Sequence, residues 1–207
     1  MNKHFITTPF NLITCLPPRL IGIETKAVKR LNEERERLAP YRLPKANYPR
    51  KRAEIRSGDI VAYDGNLIGQ MIIQCATESP FAHVGLVIVQ GGRVYVLESR
   101  GKTSGVAMAP LSNRLKHCYH FPVLAPWDEA KNERAQSKVS VVSYGFLDAL
   151  RAGFHLNPKR HGEQCAEYVS GVHGIRCYTP KDVVRWALDN EDMIRFNLDP
   201  ERDSSRK

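Results

Sequence analysis

The sequence has no hydrophobic run of the roughly 20 residues that a helix needs to cross a bilayer. It also has no CxxC pair, no HExxH and no other spacing typical of a metal site. Internal repeats and low-complexity segments are missing as well. The five cysteines stand far apart, at Cys15, Cys75, Cys118, Cys165 and Cys177. These absences exclude a helical membrane protein and a disulfide-rich scaffold, and they predict a protein without a metal or other cofactor.

What is present is typical of a folded protein in a reducing compartment. The chain has 207 residues, of which 42% are hydrophobic, enough for one domain with an appended arm. Residues 1–15 contain one lysine and an apolar stretch interrupted by threonine, proline and asparagine, whereas a secretory signal needs about 7–15 apolar residues in a row. We therefore expect no signal peptide and a cytoplasmic or virion-associated location.

Positive charge is in excess and unevenly spread. The net charge is +9, and residues 42–56 carry six basic side chains against Glu54 alone: Arg42, Lys45, Arg50, Lys51, Arg52 and Arg56. A cluster of this kind attracts polyanions or an acidic protein partner. The alternative, which is the usual one for a charge run, is a solvated arm without a partner.

The chain divides into an arm, a folded domain over 53–195 and a charged tail over 196–207. The arm, residues 1–52, contains a charged helix at 23–38 and a linker punctuated by prolines. In the folded domain we predict strands at 59–63, 104–111 and 117–124, and a hairpin of two strands around Gly91-Gly92. Helices are predicted at 67–76, 128–137, 140–152, 164–170 and from Pro180 onward. An antiparallel sheet followed by helices is an α+β fold.

Cys165 is the first candidate for chemistry. It lies in HGEQCAEYVSG, just inside a predicted helix start. Unpaired N–H groups and partial positive charge at a helix N-terminus favour a thiolate. The same N–H groups suit the oxyanion of a tetrahedral intermediate. A small buried hydrophobic residue is the alternative interpretation of a cysteine.

His83 and Glu98 lie on the two strands of the predicted hairpin. His83 shares a strand face with Gly85, which leaves room beside its ring. Glu98 is placed to orient the imidazole and to stabilise its charged form. Together with Cys165 they form the nucleophile, base and orienting group of a cysteine hydrolase. His161 is an alternative base, and a core histidine and a solvated glutamate are the alternatives for His83 and Glu98.

Several motifs in a fixed order resemble the permuted NlpC/P60-like hydrolases, particularly the YiiX/YebB-like group. They are Gly-Asp at 58–59, SPFAHVGLVI, VYVLES, Tyr144, QCAEYV and TPKDV, over about residues 55–190. The resemblance implies a circularly permuted papain-like α+β domain, with His83 as general base, Glu98 as third polar residue and Cys165 as nucleophile. This chain has Ala82 and Ala166 where many relatives have hydroxyl residues.

Three functions follow from these features as hypotheses. The first is a cysteine peptidase or amidase that cleaves a peptide or isopeptide bond through a thioester, for example in a peptidoglycan stem peptide of a bacterial or phage system. The second is a lipid acyl hydrolase or acyltransferase of the same fold. The third is a non-catalytic component, for example of a phage particle, that keeps the fold. A nucleic-acid binder is disfavoured because only Tyr41 and Tyr48 accompany the basic cluster.

Overall fold

The computed structural model describes residues 26–65, 68–99, 105–139 and 164–198, which contain five strands and six α-helices. The strands are β1 (Ile60–Tyr63), β2 (His83–Gln90), β3 (Arg93–Ser99), β4 (Val106–Pro110) and β5 (Cys118–Phe121). The helices are α1 (Lys26–Arg37), α2 (Tyr48–Lys51), α3 (Ile68–Thr77), α4 (Glu129–Ser137), α5 (Cys165–His173) and α6 (Pro180–Leu198). None of these helices is long and apolar enough to span a membrane.

The five strands form one antiparallel sheet in the order β4-β3-β2-β1-β5. The central strand, β2, pairs with β1 through Tyr63↔His83 and with β3 through Leu86↔Leu97. Directly paired residues point to the same face of a sheet. Tyr63 and His83 therefore share one face, and Val84 and Leu86 point to the other.

The turn between β2 and β3 follows from two glycines. Gly91 and Gly92 have φ values of +56° and +70°, and the pair Gln90↔Arg93 closes the turn. A two-residue turn with positive φ at both positions matches the twist of the flanking strands and favours glycine. The predicted hairpin is confirmed, with the turn at the predicted residues.

One face of the sheet packs against α4, α5 and α6. The cluster includes Ile60, Ala62, Leu86, Leu97 and Phe121 from the strands, and Ala166, Val169, Val172 and Val183 from the helices. Burial of each such side chain stabilises the fold by about 1.5–3 kcal/mol relative to exposure. The buried Tyr168 of α5 also donates a hydrogen bond to the carbonyl oxygen of Ala135 in α4, at 3.0 Å. This packing holds α5, and so its N-terminus, against the sheet.

The other face is covered by the segment that precedes β1. Leu43 and Ile55 are 0% and 4% exposed and pack on Val61 and Val87. The backbone N–H of Leu43 donates to the carbonyl of Cys118 at 2.9 Å. The basic cluster of residues 42–56 is thus anchored by its apolar side chains, while most of its charged side chains remain exposed.

The predicted elements agree with the structure to within a few residues wherever the chain is described. Asp128 caps α4 by accepting from the N–H of Lys131 at 2.8 Å, and Thr179 caps α6 by accepting from the N–H of Asp182 at 3.2 Å. The predicted helix at 140–152 lies outside the described residues. The α+β class with an antiparallel sheet is confirmed, whereas the circular permutation and the arm boundary at residue 52 stay predictions.

Asp59 joins three parts of the chain around the start of β1. It is 2% exposed. Its Oδ2 accepts from the N–H of Arg56 at 2.8 Å and lies 2.7 Å from His120 Nε2, while Oδ1 accepts from the N–H of Val123 at 3.0 Å. A buried carboxylate needs such partners to offset the loss of water.

Gly58, directly before it, has a steric role. Its φ is +93°, and a Cβ at this position would lie 2.7 Å from Cε3 of Trp127. No other residue type meets both demands without strain. The Gly-Asp pair is therefore explained by the fold at the entry to β1.

We predict that Asp59→Asn lowers the free energy of unfolding by about 3 kcal/mol. The substitution replaces one carboxylate oxygen by an NH₂ group, so a backbone or ring donor that faces this oxygen loses its acceptor. Urea denaturation measures this change. Asp128→Asn is the matched control: this exposed carboxylate also accepts one backbone N–H, and asparagine caps a helix equally well, so stability should hold within about 0.5 kcal/mol. Equal losses in both variants would contradict the role given to Asp59.

Candidate functional site

Cys165 is the first residue of α5 and is 4% exposed. Gln164 and Glu167 form a capping box, in which the Glu167 carboxylate accepts from the N–H of Gln164 at 3.3 Å. The other end of the helix closes on Gly174, whose φ of +73° is the left-handed conformation common after a helix. Both ends of α5 are thus fixed, and the thiol sits in the positive field of its N-terminus.

His83, at the start of β2, lies beside the Cys165 thiol, within reach of a hydrogen bond between the two side chains. Burial opposes ionisation of the thiol, but the attraction of His83 and this hydrogen bond outweigh burial and lower the pKa of Cys165. Burial alone would lower the pKa of His83, but the charges of Cys165 and Glu98 outweigh it and raise that pKa. Opposite shifts of this kind favour the thiolate–imidazolium pair over the neutral thiol–imidazole pair.

Two backbone N–H groups, of Val84 and Ala166, also point at the thiol and lower its pKa. The pairing of β2 with β3 runs from Gln90↔Arg93 to Leu86↔Leu97. Val84 lies beyond the last of these pairs, which leaves its N–H for the sulfur. The end of the β2–β3 pairing thus supplies one N–H donor to the thiol, and the N-terminus of α5 supplies the other.

Glu98 is 0% exposed and stands between two cationic groups. Its Oε1 lies 3.9 Å from His83 Nε2, and its Oε2 lies 3.0 Å from Arg114 Nη2. The contact with Arg114 is a charge-assisted hydrogen bond, whereas 3.9 Å is beyond hydrogen-bond length. Glu98 therefore acts on His83 mainly through its charge. Its ion pair with Arg114 offsets the free-energy cost of burying that charge.

Tyr63 and Gly85 complete the surroundings of the imidazole. The ring of Tyr63 stacks on that of His83 with centroids 5.8 Å apart, and the Arg114 guanidinium lies 5.4 Å from the Tyr63 centroid. A Cβ on Gly85 would lie 2.9 Å from Cγ of Glu98 and 2.7 Å from Cγ2 of Val96. The space predicted beside Gly85 is thus occupied by the Glu98 side chain.

The structure brings together the three predicted site residues, Cys165, His83 and Glu98. Sequence reasoning missed Arg114, which follows the 3₁₀ turn Leu111–Asn113 and has no local pattern that distinguishes it from a surface arginine. It also missed Gln164, which is 2% exposed and whose Nε2 has no hydrogen-bond partner among the described residues. The position of Gln164 directly before the cysteine was the available signal.

The other described histidines belong to other contacts. His120 pairs with Asp59, and His117 Nδ1 lies 3.0 Å from Asp64 Oδ1. Burial lowers the pKa of His173 to about 4, and its ring packs between Trp127 and Trp186. His155 and the alternative base His161 lie outside the described residues.

Within the described ranges, no three His, Cys, Asp or Glu side chains gather closely enough to hold a metal ion. The absence of a metal or cofactor stays a prediction of the sequence. The chemistry available from the described side chains is that of a thiolate, an imidazolium and a set of N–H donors.

A scan against protein-family models finds no match, and a search of curated proteins finds none. Among solved structures, the chain is similar to one from Escherichia coli O157:H7 that is described as metalloprotein yiiX, DUF1105. The two are 20% identical with a TM-score of 0.43, and the match covers 57% of this chain and 64% of that chain.

We predict that iodoacetamide modifies Cys165 at a lower pH than it modifies a free thiol, whose pKa is near 8.5. Cys118, whose pKa burial and Glu98 raise to about 12, should stay unmodified in the folded protein at pH 9. Peptide mass spectrometry against pH gives both profiles. In His83→Asn the Cys165 profile should move to higher pH, and an unchanged profile in that variant would contradict the ion pair.

We predict that Gly85→Ala destabilises the fold by about 1–3 kcal/mol, because the new methyl group overlaps Glu98 and Val96. Displacement of Glu98 should also slow the alkylation of Cys165 near neutral pH. The control is Gly91→Asn at the hairpin tip, where no atom lies within 4 Å of the added Cβ and asparagine tolerates positive φ. Urea denaturation and alkylation rates measure both effects, and normal alkylation in Gly85→Ala would argue against a role for Glu98.

Proposed function

We propose that this protein is a cysteine hydrolase that cleaves an amide bond through a thioester on Cys165. The observation that carries the proposal is the position of the Cys165 thiol, at the start of α5, beside His83, an arrangement that moves their pKa values in opposite directions. Such a pair is the activated state of a nucleophilic cysteine. The order of sheet before cysteine-bearing helix further supports a circularly permuted papain-like domain.

The reaction begins with attack of the Cys165 thiolate on a carbonyl carbon. A C–S bond forms, and the C=O electron pair moves to oxygen. When the tetrahedral intermediate collapses, the C–N bond breaks and the His83 imidazolium gives its proton to the leaving amine. Water, deprotonated by neutral His83, then attacks the thioester, releases the acid and regenerates the thiolate.

Gln164 is proposed to help stabilise the oxyanion. Its amide group lies at the N-terminus of α5, where the N–H of Ala166 already points at the sulfur. Because Nε2 is buried and lacks a partner in the described structure, it is a donor that a developing negative charge would satisfy. A peptide or isopeptide, as in a peptidoglycan stem, is the substrate proposed from the sequence resemblance, and an acyl lipid is the alternative for the same thioester chemistry.

A comparison of two reagents tests the oxyanion role. p-Nitrophenyl acetate acylates a thiolate through a tetrahedral oxyanion, whereas iodoacetamide alkylates it by displacement at a saturated carbon. We predict that Gln164→Ser slows acylation by about 10²-fold and leaves alkylation unchanged. Serine keeps an N-cap acceptor for α5, so the variant removes the amide without uncapping the helix. Equal slowing of both reactions would indicate a structural role only.

Comparison of the unmodified protein with Cys165→Ser separates an enzyme from a scaffold that retains the fold, because only in an enzyme does the protein with Cys165 form a thioester and release a p-nitrophenolate burst. If the protein is a hydrolase, this variant should fold with normal stability, form no thioester and release no p-nitrophenolate burst. Stability is read by urea denaturation and the thioester by intact mass. Acylation that persists at another residue in Cys165→Ser would contradict the proposed nucleophile.

A further inference from the structure

A cavity of about 300 Å³ opens on the His83 side of the site. Its lining includes Tyr63, His83, Arg114, Lys116 and His117. This volume is large enough for one or two amino-acid residues or a small polar head group. Because His83 lines it, whatever occupies the cavity lies next to the group that gives up the proton.

The charges around the cavity leave a positive excess. Arg114 is matched by Glu98 at 3.0 Å. Asp64 is balanced by the Arg35 guanidinium at 3.8 Å, and its Oδ1 lies 3.0 Å from His117 Nδ1. Lys116 is exposed, and among the described side chains it has no ion-pair partner. An ammonium group in this position favours an anion in the cavity.

His117 is held at the cavity in a strained conformation. Its φ is +56°, which is uncommon for a residue with a side chain. Two contacts with Asp64 maintain it: the Asp64 N–H donates to the His117 carbonyl at 3.1 Å, and Asp64 Oδ1 faces His117 Nδ1. The His117 ring also lines the cavity, where it can meet a ligand.

We infer that this cavity binds the leaving group of the substrate and selects a leaving group that carries an anionic substituent, either a carboxylate or a phosphate. The inference rests on the proposed hydrolase function, in which His83 protonates the departing amine or alcohol, so that the departing part must lie on the His83 side. Lys116 Nζ and the His117 ring are the groups that recognise the anion, and Tyr63 contacts the apolar part.

The acyl-enzyme offers a test that needs no knowledge of the natural substrate. By microscopic reversibility, an amine that attacks the thioester occupies the leaving-group site. The nitrogen lone pair forms the C–N bond, the C–S bond breaks, the thiolate departs and the excess amine proton passes to His83. The acetyl-enzyme formed from p-nitrophenyl acetate is therefore divided between water and an added amine, and product analysis gives the ratio.

Two pairs of acceptors separate the sources of negative charge. Glycine against glycinamide tests a carboxylate, and phosphoethanolamine against ethanolamine tests a phosphate, each at equal concentrations of unprotonated amine. We expect at least one anionic acceptor to be preferred by about tenfold, the factor expected for one hydrogen bond to a charged group. The preference should fall as salt is added, because the cavity is open to solvent.

Variants identify the groups responsible. Lys116→Gln should abolish most of the preference, and His117→Asn, which tolerates the same backbone conformation, should weaken it. Arg93→Gln is the matched control, since it removes one exposed positive charge at the start of β3. Arg93 pairs with Gln90 at the far end of β2, about 23 Å from His83 along that strand. Thermal unfolding checks that all three variants remain folded.

The outcomes are distinct. Equal use of anionic and neutral acceptors, or a preference that survives both cavity variants, overturns the anion site and leaves the hydrolase intact. If Arg93→Gln lowers the preference for anionic acceptors as much as the cavity variants do, the preference is an effect of overall charge, and the anion site is overturned. If no acetyl-enzyme forms at all, the proposed function falls and this inference falls with it.

Discussion

A fully buried carboxylate organises this molecule around its candidate site. Glu98 has no access to solvent, so its charge must be met by groups of the protein. Arg114 meets it directly, and His83 and Tyr63 pack into the same space. Only glycine fits at position 85, because the Glu98 side chain fills the volume that a side chain there would need. The position of the imidazole beside Cys165 follows from this packing.

Much of the sheet and of the site could be predicted from the sequence because both depend on local patterns. Alternation along β2 and β3, with two glycines between them, predicts that His83 and Glu98 lie on neighbouring strands and face the same side. The cysteine follows from its position at a helix start. These patterns extend over only a few neighbouring residues, so a single sequence is enough to recognise them.

The contacts that could not be predicted are long-range and lack a local signature. Arg114 meets Glu98 only because β4 and the turn after it bring it back over β3. His120 and Asp59 meet across the pairing of β1 with β5, which sequence order alone does not specify. Cys118 is likewise revealed as an inert thiol by its burial beside Glu98, a property that its neighbours in the chain do not indicate.

The basic segment before β1 has a consequence for how the protein is handled. Its apolar side chains, Leu43 and Ile55, close the face of the sheet that bears Val61 and Val87. A chain shortened to begin after residue 55 would expose that face as a contiguous apolar patch, and such a chain would be prone to aggregate. Its aggregation could be misread as the loss of a binding partner of the basic segment. Neutralising the exposed charges of this segment one at a time keeps the face covered and isolates what the charges themselves contribute.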